Sequence, residues 1–169
     1  MRISIRPFGD VPPGLLEDLV EDLRALGTAT LLEPSPLRAE WFDATKGKYR
    51  ADPFLDAVAG DPGDRALAVT AADLYREPYT FIFGVARTYG RPAVVSVARL
   101  ASPDPKRSRE RVAKESVHEL GHTLGCDNCE NPGCVMSFSD SVDEVDRKTP
   151  AFCPRCRATV DFSLKRLRT

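Results

Sequence analysis

The sequence predicts an α+β fold: a mixed, twisted β-sheet packed on a backing helix and a second, longer helix, with a small irregular C-terminal subdomain that ends in a helix. Three observations predict it. Short runs rich in Val, Ile and Phe (3–8, 65–72, 80–87 and 92–100) alternate with helical patterning. One long stretch, 105–124, is apolar along a single stripe. All five cysteines fall between 126 and 156, where neither strand nor helix period is visible.

The elements follow in order. Ile3–Phe8 alternates and reads as the first strand. Pro12–Leu26 places Leu15, Leu16, Leu19, Val20, Leu23 and Leu26 at helical spacing, closed by Gly27; this is the backing helix. Ala29–Leu32 is a short strand. Residues 33–52 are mixed and proline-bearing, and read as loop. Asp52–Ala59 reads as a short helix with proline in its first turn. Arg65–Ala72, Thr80–Arg87 and Pro92–Leu100 are strands.

Pro105–Leu124 is the long helix. At ~100° per residue, Ala113, Val117, Leu120 and Leu124 share a stripe of about 60°. By the same period His118 and His122 lie roughly 150° away, with Glu115 and Glu119 near them. One face packs on the sheet and the other lines a cleft. The basic residues between Lys106 and Lys114 are interrupted by Glu110 and read as a solvated helix start. Cys126–Pro154 is irregular, and Arg155–Arg168 closes the chain as a helix. The expected division is 1–125, with sheet and long helix, and 126–169, the cysteine-bearing subdomain, within one compact domain.

Composition narrows the function classes. The chain has 169 residues, and 24 Lys and Arg against 25 Asp and Glu give a net charge of −1. That supplies no general draw toward nucleic acid. No apolar run approaches the ~18–20 residues of a membrane span, and the N-terminus lacks a signal-peptide apolar region. A cytoplasmic monomer with reduced thiols is expected. The chain has no glutamine, two asparagines, 14 prolines and 29% charged residues, a composition that points to a thermophilic source.

The chain's two histidines both sit in His118-Glu119-Leu120-Gly121-His122. Positions i and i+4 share a helix face, so both imidazoles can reach one metal ion. HExxH on a helix is the zinc metalloprotease signature, with the glutamate as general base. Glu119 would take a proton from zinc-activated water and pass it to the leaving amine of a peptide or protein substrate. The substrate would lie along an exposed strand edge near Thr80–Arg87. The flank extends the motif toward HExxHxxGxxH with a Met-turn. Gly125 stands where the helix must end sharply, and Met136 where a Met-turn would pass beneath the metal. The third ligand position holds Asn128. An amide is a poor zinc ligand beside imidazole or carboxylate, so this catalytic zinc is expected to be weak or partly occupied.

The cysteines define a second site. Cys153-Pro-Arg-Cys156 has the CxxC spacing of a zinc knuckle. Cys129 and Cys134 would supply the other pair of a closed, structural four-thiolate site. Cys126-Asp-Asn-Cys129 is a competing CxxC. The odd count argues against a purely disulfide framework.

These motifs resemble the archaemetzincins, whose pattern is HExxHxxGxxHCx4CxM, a spacer of about seventeen residues, then CxxC. Here it reads His118, Glu119, His122, Gly125, Asn128, Cys129, Cys134 and Met136, then sixteen residues, then Cys153 and Cys156. Phe81–Ala86 and Val94–Leu100 also resemble the strands that precede the active helix in that family. The resemblance implies a metzincin-like fold and a zinc peptidase. Its catalytic zinc would lie on His118, His122 and position 128, with Glu119 as base, and its structural zinc on the four cysteines, leaving Cys126 spare. The departure at Asn128 keeps a second expectation open: a catalytically weakened scaffold holding only the structural zinc.

Overall fold

Strand β5 (Arg65–Thr70) is buried at every position, and its alternation feeds two cores. In the computed structural model, which describes residues 1–167, Leu67 and Val69 face one core and Ala66 and Ala68 the other. The neighbours sort the same way. Ile3 and Ile5 of β1 (Arg2–Phe8) and Ala93 and Val95 of β9 (Pro92–Ser96) join the first core, while Phe8 and Val94 join the second.

The main sheet has five strands in the order β2-β1-β5-β9-β8, with β2 at Thr28–Leu31 and β8 at Gly84–Ala86. All neighbours are parallel except β8, which runs antiparallel to β9 at the edge. The backing helix α1 (Pro13–Asp22) and the long helix α3 (Pro105–Thr123) supply the first core. Helix α2 (Asp52–Val58) covers the opposite face, where Phe8, Trp41 and Phe54 pack with ring centroids 4.8–5.7 Å apart.

The 33–52 segment is not simply loop. It carries a 3₁₀ turn at Ala39–Trp41 and two short strands, β3 (Phe42–Asp43) and β4 (Lys48–Arg50). These join β6 (Leu74–Arg76) and β7 (Tyr79–Ile82) in a second sheet, β3-β4-β6-β7. Strands of two or three residues show no readable period. The single strand expected at 80–87 is also two. Tyr79–Ile82 pairs with β6 and Gly84–Ala86 with β9, so the chain passes from one sheet to the other at Phe83.

Residues after 125 pack into the first core through Val135, Met136, Val145, Cys156, Val160 and Leu164. This stretch contains an unforeseen helix, α4 (Val142–Arg147), before α5 (Pro154–Arg166). Six residues with two valines three apart give too short a periodic signal. The helix expected to reach Arg168 is described to Arg166; its final residue lies outside the described residues. The first turn of α3 is solvated as expected, with Lys106 and Arg107 exposed, but the basic residues after it are not. Arg111 is buried and grips Asp146 at 2.7 Å, Lys114 donates to the Val145 and Asp146 carbonyls, and Arg109 pairs with Asp18 and Asp22. These arginines and the lysine bind α3 to α4 and α1. Ala113 is half-buried; Val112 is buried instead, alongside Val117, Leu120 and Leu124.

Candidate active site and cysteine cluster

The end of α3 fixes one histidine. Gly125 adopts φ 92°, a conformation glycine tolerates best. Its N–H donates to the His122 carbonyl, and the Cys126 N–H donates to Gly121. This pair of bonds is a Schellman cap, and it ends the helix. The same turn aims the Cys126 carbonyl at the His122 ring, whose Nδ1–H donates to it at 2.7 Å. The His118 Nδ1–H donates to the Val135 carbonyl at 2.9 Å, one residue before Met136. With both Nδ1 positions occupied, both Nε2 atoms are free to converge, and they lie 3.0 Å apart. Two ligands of a tetrahedral zinc would stand ~3.4 Å apart for Zn–N bonds of ~2.05 Å.

Met136 is fully buried beneath this pair. A Cβ on Gly121 would come within 2.4 Å of its Sδ, so the glycine inside the motif makes room for the methionine. Tyr89 covers the other side of the turn. Its N–H donates to the His122 carbonyl, and a Cβ on Gly125 would strike its ring.

The cleft above the helix has a volume of ≈ 740 Å³. Its floor carries Glu115, His118, Glu119, His122 and Asn128, and β7 and β8 form a wall. Burial dominates its electrostatics. It pushes the His118 pKa down to about 3, helped by Lys148 and His122, and lowers His122 as well. Both are therefore neutral, the ligating form of imidazole. Burial raises Glu119 well above the usual carboxylate range; nearby Glu115 adds to this and Lys148 opposes it. Lys148 is itself buried, 2.7 Å from Glu115 Oε1, and donates to the Ser137 carbonyl.

Asn128 lines the cleft beside His122, where it works against the lowering of that imidazole's pKa by burial. The backbone ties it there. Cys129 N–H donates to the Met136 carbonyl at 2.8 Å, so position 128 is held against the Met-turn.

Cys129, Cys134, Cys153 and Cys156 come together with all four sulfurs within 4.8 Å of one another. The Cys129 and Cys153 sulfurs are 3.7 Å apart, against ~3.8 Å for two thiolates on a tetrahedral zinc with Zn–S of ~2.3 Å. Backbone N–H groups of Met136 and Cys153 point at Cys134 Sγ. The Cys156 backbone N–H lowers Cys153 to about 7, favouring the thiolate. Cys126 stands outside this group. Its Sγ donates to the Cys156 carbonyl, and burial raises its thiol to about 11.

The sequence reading missed Gly84, Tyr79, Phe138 and Lys148, all of which face or brace the cleft. Each meets its partner more than thirty residues away in sequence, and no local pattern marks such contacts.

The fold and cleft define a class, the peptidases of family M54. The model of Peptidase family M54 matches residues 43–161, and the chain belongs to that family. Within it the relatives are archaemetzincins. One from Methanopyrus kandleri is 51% identical over 127 residues, 74% of this chain and 73% of the relative. The crystal structure of the Methanopyrus kandleri archaemetzincin superposes with a TM-score of 0.90 at 41% identity, covering 98% of this chain and 96% of that one. A zinc-dependent peptidase from Methanocorpusculum labreanum superposes at 0.84 and 29% identity, covering 94% and 99%.

Proposed function

We propose that this chain is a zinc metallopeptidase whose reaction takes place in the cleft above α3. The observation that carries this reading is the pair of Nε2 atoms 3.0 Å apart, each ring locked through Nδ1, with Glu119 beside them. His118, His122 and, more weakly, Asn128 would hold a catalytic zinc. When bound, such an ion supplies Lewis acidity for water and for the scissile carbonyl. Glu119 accepts a proton from the attacking water and hands it to the leaving amine. Burial raises the affinity of the Glu119 carboxylate for a proton, which strengthens its pull on the water proton when it is ionised. Glu115, His118, Glu119 and His122 form the cleft floor, and the edge strand β8 receives an extended peptide. Family membership supports the reaction class, and the relative's zinc dependence supports the metal.

The four-cysteine group would hold a second, structural zinc that gives folding energy to the irregular stretch after Gly125. The division at 125 then separates a sheet-and-helix part from a metal-braced part. We read the protein as a cytoplasmic monomer acting on peptides or proteins, with no nucleic-acid or membrane partner. Among the described residues no helix is long and apolar enough to cross a membrane.

Asn128 favours a second reading, a scaffold that keeps the structural zinc and has weak or no hydrolysis. Zinc stoichiometry and hydrolysis of a mixed peptide library, with and without Glu119→Gln, separate the two. Two zinc ions and Glu119-dependent cleavage support the enzyme. One zinc and no cleavage support the scaffold.

A further inference from the structure

Tyr79 and Phe138 meet across the mouth of the cleft. Their ring centroids are 6.1 Å apart and tilted by 37°. Tyr79 is 52% exposed and Phe138 48%, high values for aromatic side chains that line a cavity. They come from opposite walls: Tyr79 opens β7, and Phe138 lies two residues past Met136. Neither belongs to a core cluster, and among the described residues the Tyr79 hydroxyl has no hydrogen-bond partner. Folding therefore does not account for the pair. Exposed aromatic faces inside a concave site hold apolar side chains of a ligand.

The charged neighbours on the β7 side are engaged elsewhere, and on the Phe138 side Asp140 lines the cleft as well. Arg76 pairs with Asp52 at 3.2 Å and Glu77 with Lys46 at 3.0 Å. Between Tyr79 and Phe138 this end of the cleft offers ring surface, bordered by the Asp140 carboxylate.

Its distance from the chemistry follows from the strand. Gly84 lies against Glu119, and Tyr79 is five residues before it. At ~3.3 Å per residue that is at most about 16 Å of extended chain. Phe138 reaches back from the Met-turn side, so the rings meet partway. We propose that Tyr79 and Phe138 form a specificity subsite that takes an aromatic side chain of a peptide substrate, about two to four residues from the scissile bond. The inference rests on the peptidase reading above. Binding energy from such a remote contact is available to position the reacting bond.

The test uses fluorescent Ala-rich peptides in which a single Phe is stepped along the chain. Their binding to the full-length Glu119→Gln variant in the presence of zinc is read by anisotropy, free of turnover. One Phe position should bind about tenfold tighter than the all-Ala parent. That preference should fall toward one in Tyr79→Ala and in Phe138→Ala, and persist in Tyr79→Phe. Uniform binding at every Phe position overturns the subsite, as does a preference that survives both truncations. Tighter binding of every peptide by both truncations would make the pair a plug and overturns it equally. Wild-type hydrolysis is followed separately. Cleavage without a Phe preference sinks the subsite alone; a Phe preference without cleavage supports the subsite and sinks the peptidase reading.

Discussion

Gly84 of the edge strand lies directly against Glu119. A Cβ built at Gly84 would come within 2.7 Å of Glu119 Cγ, 2.9 Å of its Oε1 and 2.7 Å of the Val94 carbonyl oxygen. The carboxylate therefore rests on bare backbone, and a side chain at 84 would occupy its place. Gly84→Ala should displace Glu119 and lower kcat by tenfold or more. The overpacking should cost about 1–3 kcal/mol of stability. Steady-state kinetics beside denaturant unfolding would read both, and unchanged kcat would show that Glu119 tolerates displacement.

Lys148 should be needed for stability out of proportion to its chemistry. Removing it leaves Glu115 buried without its ion-pair partner. Breaking such a pair costs about 3–5 kcal/mol, while replacing both partners with apolar residues is often close to neutral. Lys148→Met should be strongly destabilised, and Lys148→Met with Glu115→Leu should recover most of the loss. Equal destabilisation of the single and double variants would mean that Lys148 acts through Ser137 rather than Glu115.

The cysteine cluster makes a sharp division among thiols. Cys153→Ser should release its metal and increase hydrogen exchange after residue 125. Cys126→Ser should retain the metal, because Cys126 lies outside the four-sulfur group. Mass spectrometry under native conditions counts the ions. Loss of the tightly held zinc from Cys126→Ser would reassign the ligands.

Asn128→His should strengthen zinc binding at the histidine pair by at least about tenfold, since imidazole replaces a neutral amide. Calorimetric titration of metal-free protein would show two steps that move closer together in the variant. Two equally tight steps in the unmodified chain would show that Asn128 is already an adequate ligand.

Acid should destabilise the metal-free protein through His118. Burial, reinforced by Lys148 and His122, holds its pKa at about 3 in the folded chain, against ~6.5 when unfolded. Between those values the unfolded state binds the additional proton, so stability falls as pH drops from about 6.5 toward 3. His118→Asn lacks this proton difference. The wild type should lose Tm relative to that variant on going from about pH 7 to about pH 4.5. A constant difference in Tm would mean that His118 is not kept neutral by the fold.

The two kinds of legibility in this sequence have different physical roots. α3, β5 and β9 are long enough to show their periods, and the histidine motif and CxxC compress their chemistry into five and four residues. Their approximate positions could be read directly. β3, β4 and β6 could not, because strands of two or three residues take their structure from partners rather than from themselves. Phe83 hid the sheet change because extended, apolar residues on both sides of it look like one strand. The role of Arg109, Arg111 and Lys114 in α3 was not legible for a related reason. A pattern of charges shows where solvation is possible, but Asp146 and the α4 carbonyls that bind Arg111 and Lys114 come more than thirty residues later. Gly84 and Lys148 belong to the same group: each is defined by what it touches.

The bond from the Cys129 N–H to the Met136 carbonyl has a thermodynamic consequence. Residue 128 faces the histidines and residue 129 joins the other cysteine sulfurs, so the same few backbone dihedrals serve both. Whatever orders this strip from the cysteine side removes conformational freedom that a ligand on the histidine side would otherwise have to remove. Linkage is reciprocal, so occupancy of either side must strengthen the other by the same factor. Chelation should then be cooperative: stripping one ion loosens the grip on its neighbour, and the two depart over a narrower range of chelator concentration than independent sites would allow.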